Sequence, residues 1–326
     1  MVHQSIDTTS AAGTPATPGA PGTAGVRRGP RRGAGTAGQQ RVFLLPAVLV
    51  TLAVVIFPTV FGLYVSFTDW QLNDPAGRVP NGLANFRAIA GDGRFWNALR
   101  NNFLFVGIGV PVQYAIALGL ALLLNQDLAG RRFFRVAFLL PFMMSPVAAG
   151  WMIGRSIFDA QRGPLADLLR TLGFDGITFF DTGPRAIASL LIIDAWYSIP
   201  FMLVLLLAGL QAMPVEVFEA AHIDGASPWQ RFKDMTFPLL LPVSLTAVIL
   251  RVIFEFKVID IILVVTGGGP GNSTETLTSY IYRRGVQGLD VGYATAMSQI
   301  FLIVVTVTVV VLLLTVGRRA RAISGN

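Results

Sequence analysis

The sequence predicts an all-α membrane protein, with six transmembrane helices and a cytoplasmic helix-turn-helix between the fourth and the fifth. Two observations lead there. Only 13% of the 326 residues are charged while 53% are hydrophobic, whereas an ordinary soluble domain carries about 25% charge. The apolar residues are also gathered into six runs that reach the roughly 20 residues a bilayer crossing needs.

Residues 1–40 come first. Gly, Pro, Ala and Thr supply 25 of the 40, and none is aromatic. Such a segment buries too little apolar surface to offset its chain entropy and is expected to be a disordered cytoplasmic tail. It carries RRGPRR at 27–32. That cluster suits an anchor for the first helix better than a twin-arginine export signal, because the apolar run that follows is too long for a signal core and lacks a small-residue cleavage site.

The membrane domain is expected at 41–317, with spans at 43–67, 102–124, 133–157, 185–209, 238–266 and 290–316 and a short cytoplasmic tail at 318–326. An even number of spans places both termini on one side. With the termini inside, the tails and the inner loops hold 13 Lys and Arg against ten in the longer outer loops. The basic clusters at the two ends favour that orientation. The net charge of +7 is therefore that of a chain oriented in a membrane, and it does not call for nucleic acid.

Several chemistries are excluded. There is no Cys, so thiolate catalysis and Cys-zinc sites are absent. The two His, His3 and His222, cannot form HExxH, and no metal site is expected. Neither Lys233 nor Lys257 is followed by Ser or Thr, so no nucleotide-binding P-loop exists. If the protein uses ATP, another chain must bind it.

Between spans four and five lies VFEAAHIDGASPWQRFKDMTFPLLLP, 217–242. Pro214 suits a first helical turn, and Glu216 and Glu219 favour its positive end. The helix should run to about Ile223, closed by Gly225 in the left-handed conformation. Ser227, Pro228 and Gln230 then form a capping box that starts a second helix. Phe218, Ala221 and His222 share one face of the first helix, and Trp229, Phe232 and Met235 cluster on the second. A loop resting on the membrane surface has no need of so defined a module; a docking element for a cytosolic partner does.

This stretch resembles the EAA loop of binding-protein-dependent ABC importer permeases. The family pattern is Glu-Ala-Ala, three residues, Gly, nine residues, Ile, one residue, Leu-Pro. Here Glu219, Ala220, Ala221, Gly225 and Pro238 match, while Met235 and Phe237 replace Ile and Leu. Asp224-Gly225-Ala226 is similar to the carbohydrate-uptake branch of the maltose-transporter type. So are GLANF (82–86), FWNALRNN (95–102), RRFFRVAFLLP (131–141), DAWYSIPFMLVLLLAGLQAMP (194–214) and FKVIDIILVVTGGGPGNSTETL (256–277).

The resemblance implies the ABC type I importer permease fold in the cell membrane, with the EAA-like module as a coupling loop at 210–237. It implies a sugar substrate, a second homologous permease, two ATPase subunits that bind ATP and Mg, and an external solute-binding protein. This chain would itself be no enzyme and hold no cofactor. Glu219, Ala220, Ala221, Asp224 and Gly225 would form the ATPase contact. The alanines would permit close approach.

Charges within the spans offer a substrate path. Arg251 and Glu255 are spaced to pair along a helix, as are Lys257 and Asp260. They read either as structural pairs and contacts with the partner permease, or as a polar wall of the path, since unpaired charge at bilayer depth costs at least ~2.5–3.5 kcal/mol. Trp196 and Tyr197, beside Asp194, Ser198 and the kinking Pro200, offer stacking surfaces for a sugar or serve as packing anchors. Gln299 is a weaker candidate. Tyr197 and Glu255 are expected in a central cavity and Asp260 near an outer gate. A glycerol phosphate ester or a polyol is the main alternative to a sugar. A secondary transporter or channel, or a membrane-embedded enzyme, is the alternative of another class; neither accounts for the EAA-like loop.

Overall fold

The computed structural model describes residues 45–127 and 129–324. The expected N-terminal tail and its RRGPRR cluster lie outside the described residues. The chain divides into two units, 1–55 and 56–326, and the description below concerns the second unless stated.

Four helices among the described residues are long and apolar enough to cross a membrane: α1 (Leu45–Val65), α3 (Gly93–Leu124), α7 (Gly183–Gln211) and one whose apolar part is Val291–Thr315. The last, α13, continues to Ser324, through residues expected to form a tail. A short ribbon, β1 (Thr68–Asp69) and β2 (Val79–Pro80), and the helix α2 (Ala84–Ala90) follow α1. The remaining elements are α4 (Arg131–Met143), α5 (Pro146–Ile157), α6 (Pro164–Thr171), α8 (Val215–Ile223), α9 (Pro228–Arg231), α10 (Phe237–Phe256), α11 (Asp260–Val265) and α12 (Leu277–Tyr282).

Two of the six expected spans are not single rods. In the third, α4 and α5 meet at a 100° bend. Ser145 is extended there and its side chain caps α5, accepting from the Ala148 N–H at 3.1 Å. Pro146 enforces the break, because the residue before a proline is pushed out of the helical region. In the fifth, α10 stops at Phe256 and α11 begins at Asp260, with Ile259 away from helical geometry at φ −139°, ψ −44°. Hydropathy alone does not register either bend.

The core is built from close helix contacts. Ala117, Ala121 and Leu124 of α3 pack on Met202, Leu206 and Leu210 of α7 and Leu240 of α10. Small residues allow this approach where water cannot drive association. At Gly209, a Cβ would stand 2.9 Å from Leu240 Cδ1 and 3.0 Å from Val243 Cγ1. A second cluster joins Phe105, Ile153, Leu190, Ile193, Ile262 and Val265, tying both bent spans to α3 and α7. The continuous helix α7 runs through Pro200 without ending.

Candidate functional site

The helix-turn-helix forms as its residues dictate. α8 ends at Ile223 with Asp224 as its C-cap, and Gly225 follows at φ +70°. The Ala226 N–H donates to Ala221 O at 3.0 Å and the Gly225 N–H to His222 O at 3.2 Å, the paired bonds of a Schellman closure. Nothing lies within 4 Å of a Cβ placed on Gly225, so glycine is needed there for backbone conformation and not for space. Ser227 then caps α9. Its Oγ accepts from the Gln230 N–H at 3.3 Å, and Gln230 Oε1 accepts from the Ser227 N–H at 2.8 Å. Pro214 is the residue before the helix rather than its first turn.

One face of this module is open. Glu219, Ala220 and Asp224 are exposed, and Ile223 is 86% exposed. Ala221 is buried against the protein's own body, so of the two alanines only Ala220 is available for close approach by a partner. Trp229 stacks on Phe232 at 5.6 Å. Behind the module a crevice of about 660 Å³ separates it from the ends of α3 and α7, with Asn125, Gln211, Phe218 and Arg231 among its walls.

A second site lies at the middle of the bundle. A cavity of about 340 Å³ is enclosed by Phe142 and Pro146 at the bend of the third span, Asp194, Tyr197, Ser198 and Phe201 of α7, and Arg251, Phe254, Lys257, Val258, Asp260 and Ile261 around the break in the fifth. The two breaks thus supply the walls that straight helices would have closed. Aromatic faces stand beside charged and hydroxyl groups: Phe142 lies 6.0 Å from Tyr197 and 5.8 Å from Phe201, centroid to centroid.

From Arg251, Asp194 and Ser198 in the cavity wall a buried polar network runs inward to Gln113 and Glu255. Arg251 donates from Nε to Gln113 Oε1 at 2.6 Å and from Nη2 to both Asp194 and Glu255. Gln113 Nε2 donates to Asp194 Oδ2 at 2.7 Å, and the Ser198 hydroxyl donates to Asp194 Oδ1 at 3.3 Å. Gln113, Asp194, Arg251 and Glu255 are all buried.

At the far end of α3 from the helix-turn-helix, the loop after α11 is fastened by a fully buried carboxylate. Glu275 accepts from Arg94 Nε at 2.6 Å and Nη2 at 2.7 Å, a bidentate pair. Asn101 donates to Glu275 O at 2.9 Å, and Asn102 donates to Phe256 O at 2.8 Å while accepting from the Leu277 N–H at 2.7 Å. Nearby, Asp92 caps α3. Burial pushes its carboxyl up, but the hydroxyls of Tyr280 and Tyr293 and the N–H groups of Arg94 and Phe95 outweigh that and hold it below the usual carboxylate range.

The structure sorts the residues singled out in the sequence. Tyr197, Lys257 and Asp260 line the central cavity. Glu255 does not: it is fully buried beneath Arg251, as the expected i,i+4 pair. The expected Lys257–Asp260 helical pair is not formed, because the chain leaves the helix between them. Trp196 packs with the Phe105–Ile262 cluster. Gln299 lies on α13 toward α1, near Gly62. Sequence reasoning missed Gln113, Phe142, Phe201 and Phe254. An isolated Gln in an apolar run was the available signal for the first; nothing marked the aromatic residues as cavity walls.

Comparison with known proteins places this architecture. The model of a family described as binding-protein-dependent transport system inner membrane component matches residues 88–323. The sulfoquinovosyl glycerol transport system permease protein SmoG of Agrobacterium fabrum is 35% identical over 257 residues, covering 79% of this chain and 83% of that protein. The trehalose/maltose transport system permease protein MalF of Thermococcus litoralis is 34% identical over 287 residues, covering 86% and 94%. Among solved structures, a chain of a bacterial ABC transporter involved in the import of the acidic polysaccharide alginate superposes with a TM-score of 0.75 at 21% identity, over 86% of this chain and 96% of that one. That likeness establishes the fold.

Proposed function

The chain belongs to the family of binding-protein-dependent transport system inner membrane components and is a transmembrane permease of such an importer; from that premise we propose that it carries a neutral sugar or polyol through the central cavity, driven by separate ATPase subunits docked on the helix-turn-helix. A second, related permease completes the path. Two ATPase subunits bind ATP and Mg, and an external solute-binding protein delivers the substrate. Both termini face the cytoplasm.

The open face of the helix-turn-helix carries this reading. Its two helices are locked by a Schellman closure and a capping box, yet Glu219, Ala220, Ile223 and Asp224 meet no part of the chain's own core. A rigid module that presents a carboxylate, a small residue and an 86% exposed Ile is built for a protein groove. Glu219 supplies the charge contact, and Ala220 permits close approach.

The cavity supports a neutral substrate. Relatives include permeases named for sulfoquinovosyl glycerol, trehalose/maltose and sn-glycerol-3-phosphate transport, so both uncharged and anionic cargo are within the family. A phosphate ester calls for convergent cations. Here Arg251 is engaged by Asp194 and Glu255, and Lys257 shares the cavity wall with Asp260. Tyr197, Phe142 and Phe201 suit the apolar C–H faces of a sugar, and Lys257, Asp260 and Ser198 suit its hydroxyls.

The test is co-purification of the importer with Glu219→Lys and Gly225→Pro variants. Both should insert in the membrane, lose the ATPase subunits and abolish uptake. Uptake at the parent rate in both variants refutes the docking assignment.

A further inference from the structure

The break in the fifth span changes which residues line the central cavity. In a straight helix, at roughly 100° per residue, Lys257 would stand about 120° around the axis from Arg251 and Asp260 about 180°. Asp260 would then face away from Arg251. Instead Arg251, Phe254, Lys257 and Asp260 all line the one cavity, because α10 stops at Phe256 and α11 starts afresh at Asp260. Lys257 and Asp260 are thus brought to the wall by the break and not by helical spacing.

A break inside a span frees backbone groups that lipid cannot satisfy. Side chains from outside the span take them here. Phe256 O, at the end of α10, accepts from Asn102 Nδ2 at 2.8 Å and from the Thr278 hydroxyl at 3.2 Å. Val258 O accepts from the Thr276 hydroxyl at 3.0 Å. Asn102 lies on α3 at 0% exposure, behind the break and outside the cavity wall. Its Oδ1 accepts from the Leu277 N–H at 2.7 Å, the first N–H of α12. One amide therefore supplies the donor that α10 lacks at its end and the acceptor that α12 lacks at its start. In an unbroken helix Phe256 O would accept from the Asp260 N–H, four residues on. Asn102 and Thr278 compete for that same carbonyl, and so they oppose continuation of the helix through 257–259.

We propose that Asn102 is a positioning residue for the transport cavity: it binds the end of α10 to the start of α12, keeps the fifth span broken, and so holds Lys257 and Asp260 on the cavity wall. Its consequence for uptake rests on the cavity being the substrate path; the placement of the two side chains does not. Without the amide, Phe256 O keeps only the longer bond from Thr278, and the Leu277 N–H loses its acceptor. A buried backbone group without a partner is costly, and pairing Phe256 O with the Asp260 N–H relieves it by carrying Asp260 around the axis, away from the cavity.

The chain has no Cys, so a single introduced thiol reports its own position. Asp260→Cys and Tyr197→Cys are made separately in the complete importer in nanodiscs, each with and without Asn102→Ala. The rate at which a charged methanethiosulfonate reagent modifies this chain is measured. Tyr197 lines the same cavity from the continuous helix α7 and serves as the reference. With Asn102 present both positions should react. Asn102→Ala should lower the rate at 260 relative to 197 about ten-fold, and Thr278→Val, which removes only the longer bond, should lower it less. An unchanged ratio in Asn102→Ala overturns the proposal. So does an equal fall at both positions, the mark of a bundle that has loosened as a whole, and so does a position 260 that is unreactive with Asn102 in place. If Asn102→Ala does not assemble, Thr276→Val with Thr278→Val is read in the same way, and an unchanged ratio there is equally fatal. Uptake of sugars and polyols is followed in Asn102→Ala without the introduced thiols. A ratio that falls while uptake keeps parental kinetics counts against the cavity as the substrate path and leaves the placement of Lys257 and Asp260 standing.

Discussion

Arg251→Met is the most informative single change to the membrane interior. Arg251 is 5% exposed and, among the described residues, is the only cation paired with the buried carboxyls of Asp194 at 3% and Glu255 at 0%. Methionine fills the volume of the arginine stem, so the cavity left behind is small. The charge goes, and both acids remain in a dry interior. Each hydrogen bond to an ionised group is worth about 1.5–3 kcal/mol. Breaking a buried ion pair from one side costs about 3–5 kcal/mol in total, because the surviving charge is uncompensated. Replacing the whole cluster, with Arg251→Met, Asp194→Asn and Glu255→Gln together, should restore most of that loss, since the penalty belongs to unpaired charge and not to the missing pair. The assay is the temperature at which half of the complete importer in nanodiscs loses its monodisperse elution, compared across parent, single and triple variants. A single variant as stable as the parent, or a triple variant less stable than the single one, refutes the assignment of Arg251 as the charge that compensates the buried acids.

Gly225→Ala should weaken the helix closure by about 1–2 kcal/mol, the cost of a left-handed residue with a Cβ, and Gly225→Asn by less; faster amide exchange at Gly225 and Ala226 in the Ala variant than in the Asn variant would show it. Because Asp92 titrates below the ordinary carboxylate range when folded, its contribution is fully present above the unfolded value near pH 4 and is lost as the pH falls through the folded value. Asp92→Asn should therefore flatten the acid end of the importer's stability profile, measured as residual folded fraction against pH. Tyr197→Ala and Lys257→Gln should lower uptake or alter selectivity in vesicles while assembly with the ATPase subunits persists; parental kinetics in both would place the substrate path elsewhere.

The helix-turn-helix was legible residue by residue because its signals are local. Gly225 in a left-handed turn and Ser227 with Gln230 in a capping box depend on neighbours within six positions, and both formed as read. The pairing of Arg251 with Glu255 was legible for the same reason. The pairing of Lys257 with Asp260 failed because it assumed a helix where the chain breaks. Ala221 was counted on the docking face, but which side of a short helix faces its own protein depends on where α3 and α7 end, and that is not written in the helix itself.

By itself the sequence determined the solvent this chain folds in, the apolar stretches long enough to cross it, the shape of the helix-turn-helix and the absence of any nucleotide loop. Each follows from composition or from spacing within a few residues. Only the tertiary structure decided that two spans bend, that Gln113 from α3 and Asp194 from α7 converge on Arg251 from α10, and that Tyr197 shares a cavity with Lys257 and Asp260 while Glu255 is sealed beneath it. Those groups lie 57 and 138 residues from Arg251 along the chain. Their meeting is set by how Ala117, Ala121 and Gly209 let the helices approach, because a buried charge must find its partner wherever close packing brings one, and sequence distance carries no information about that.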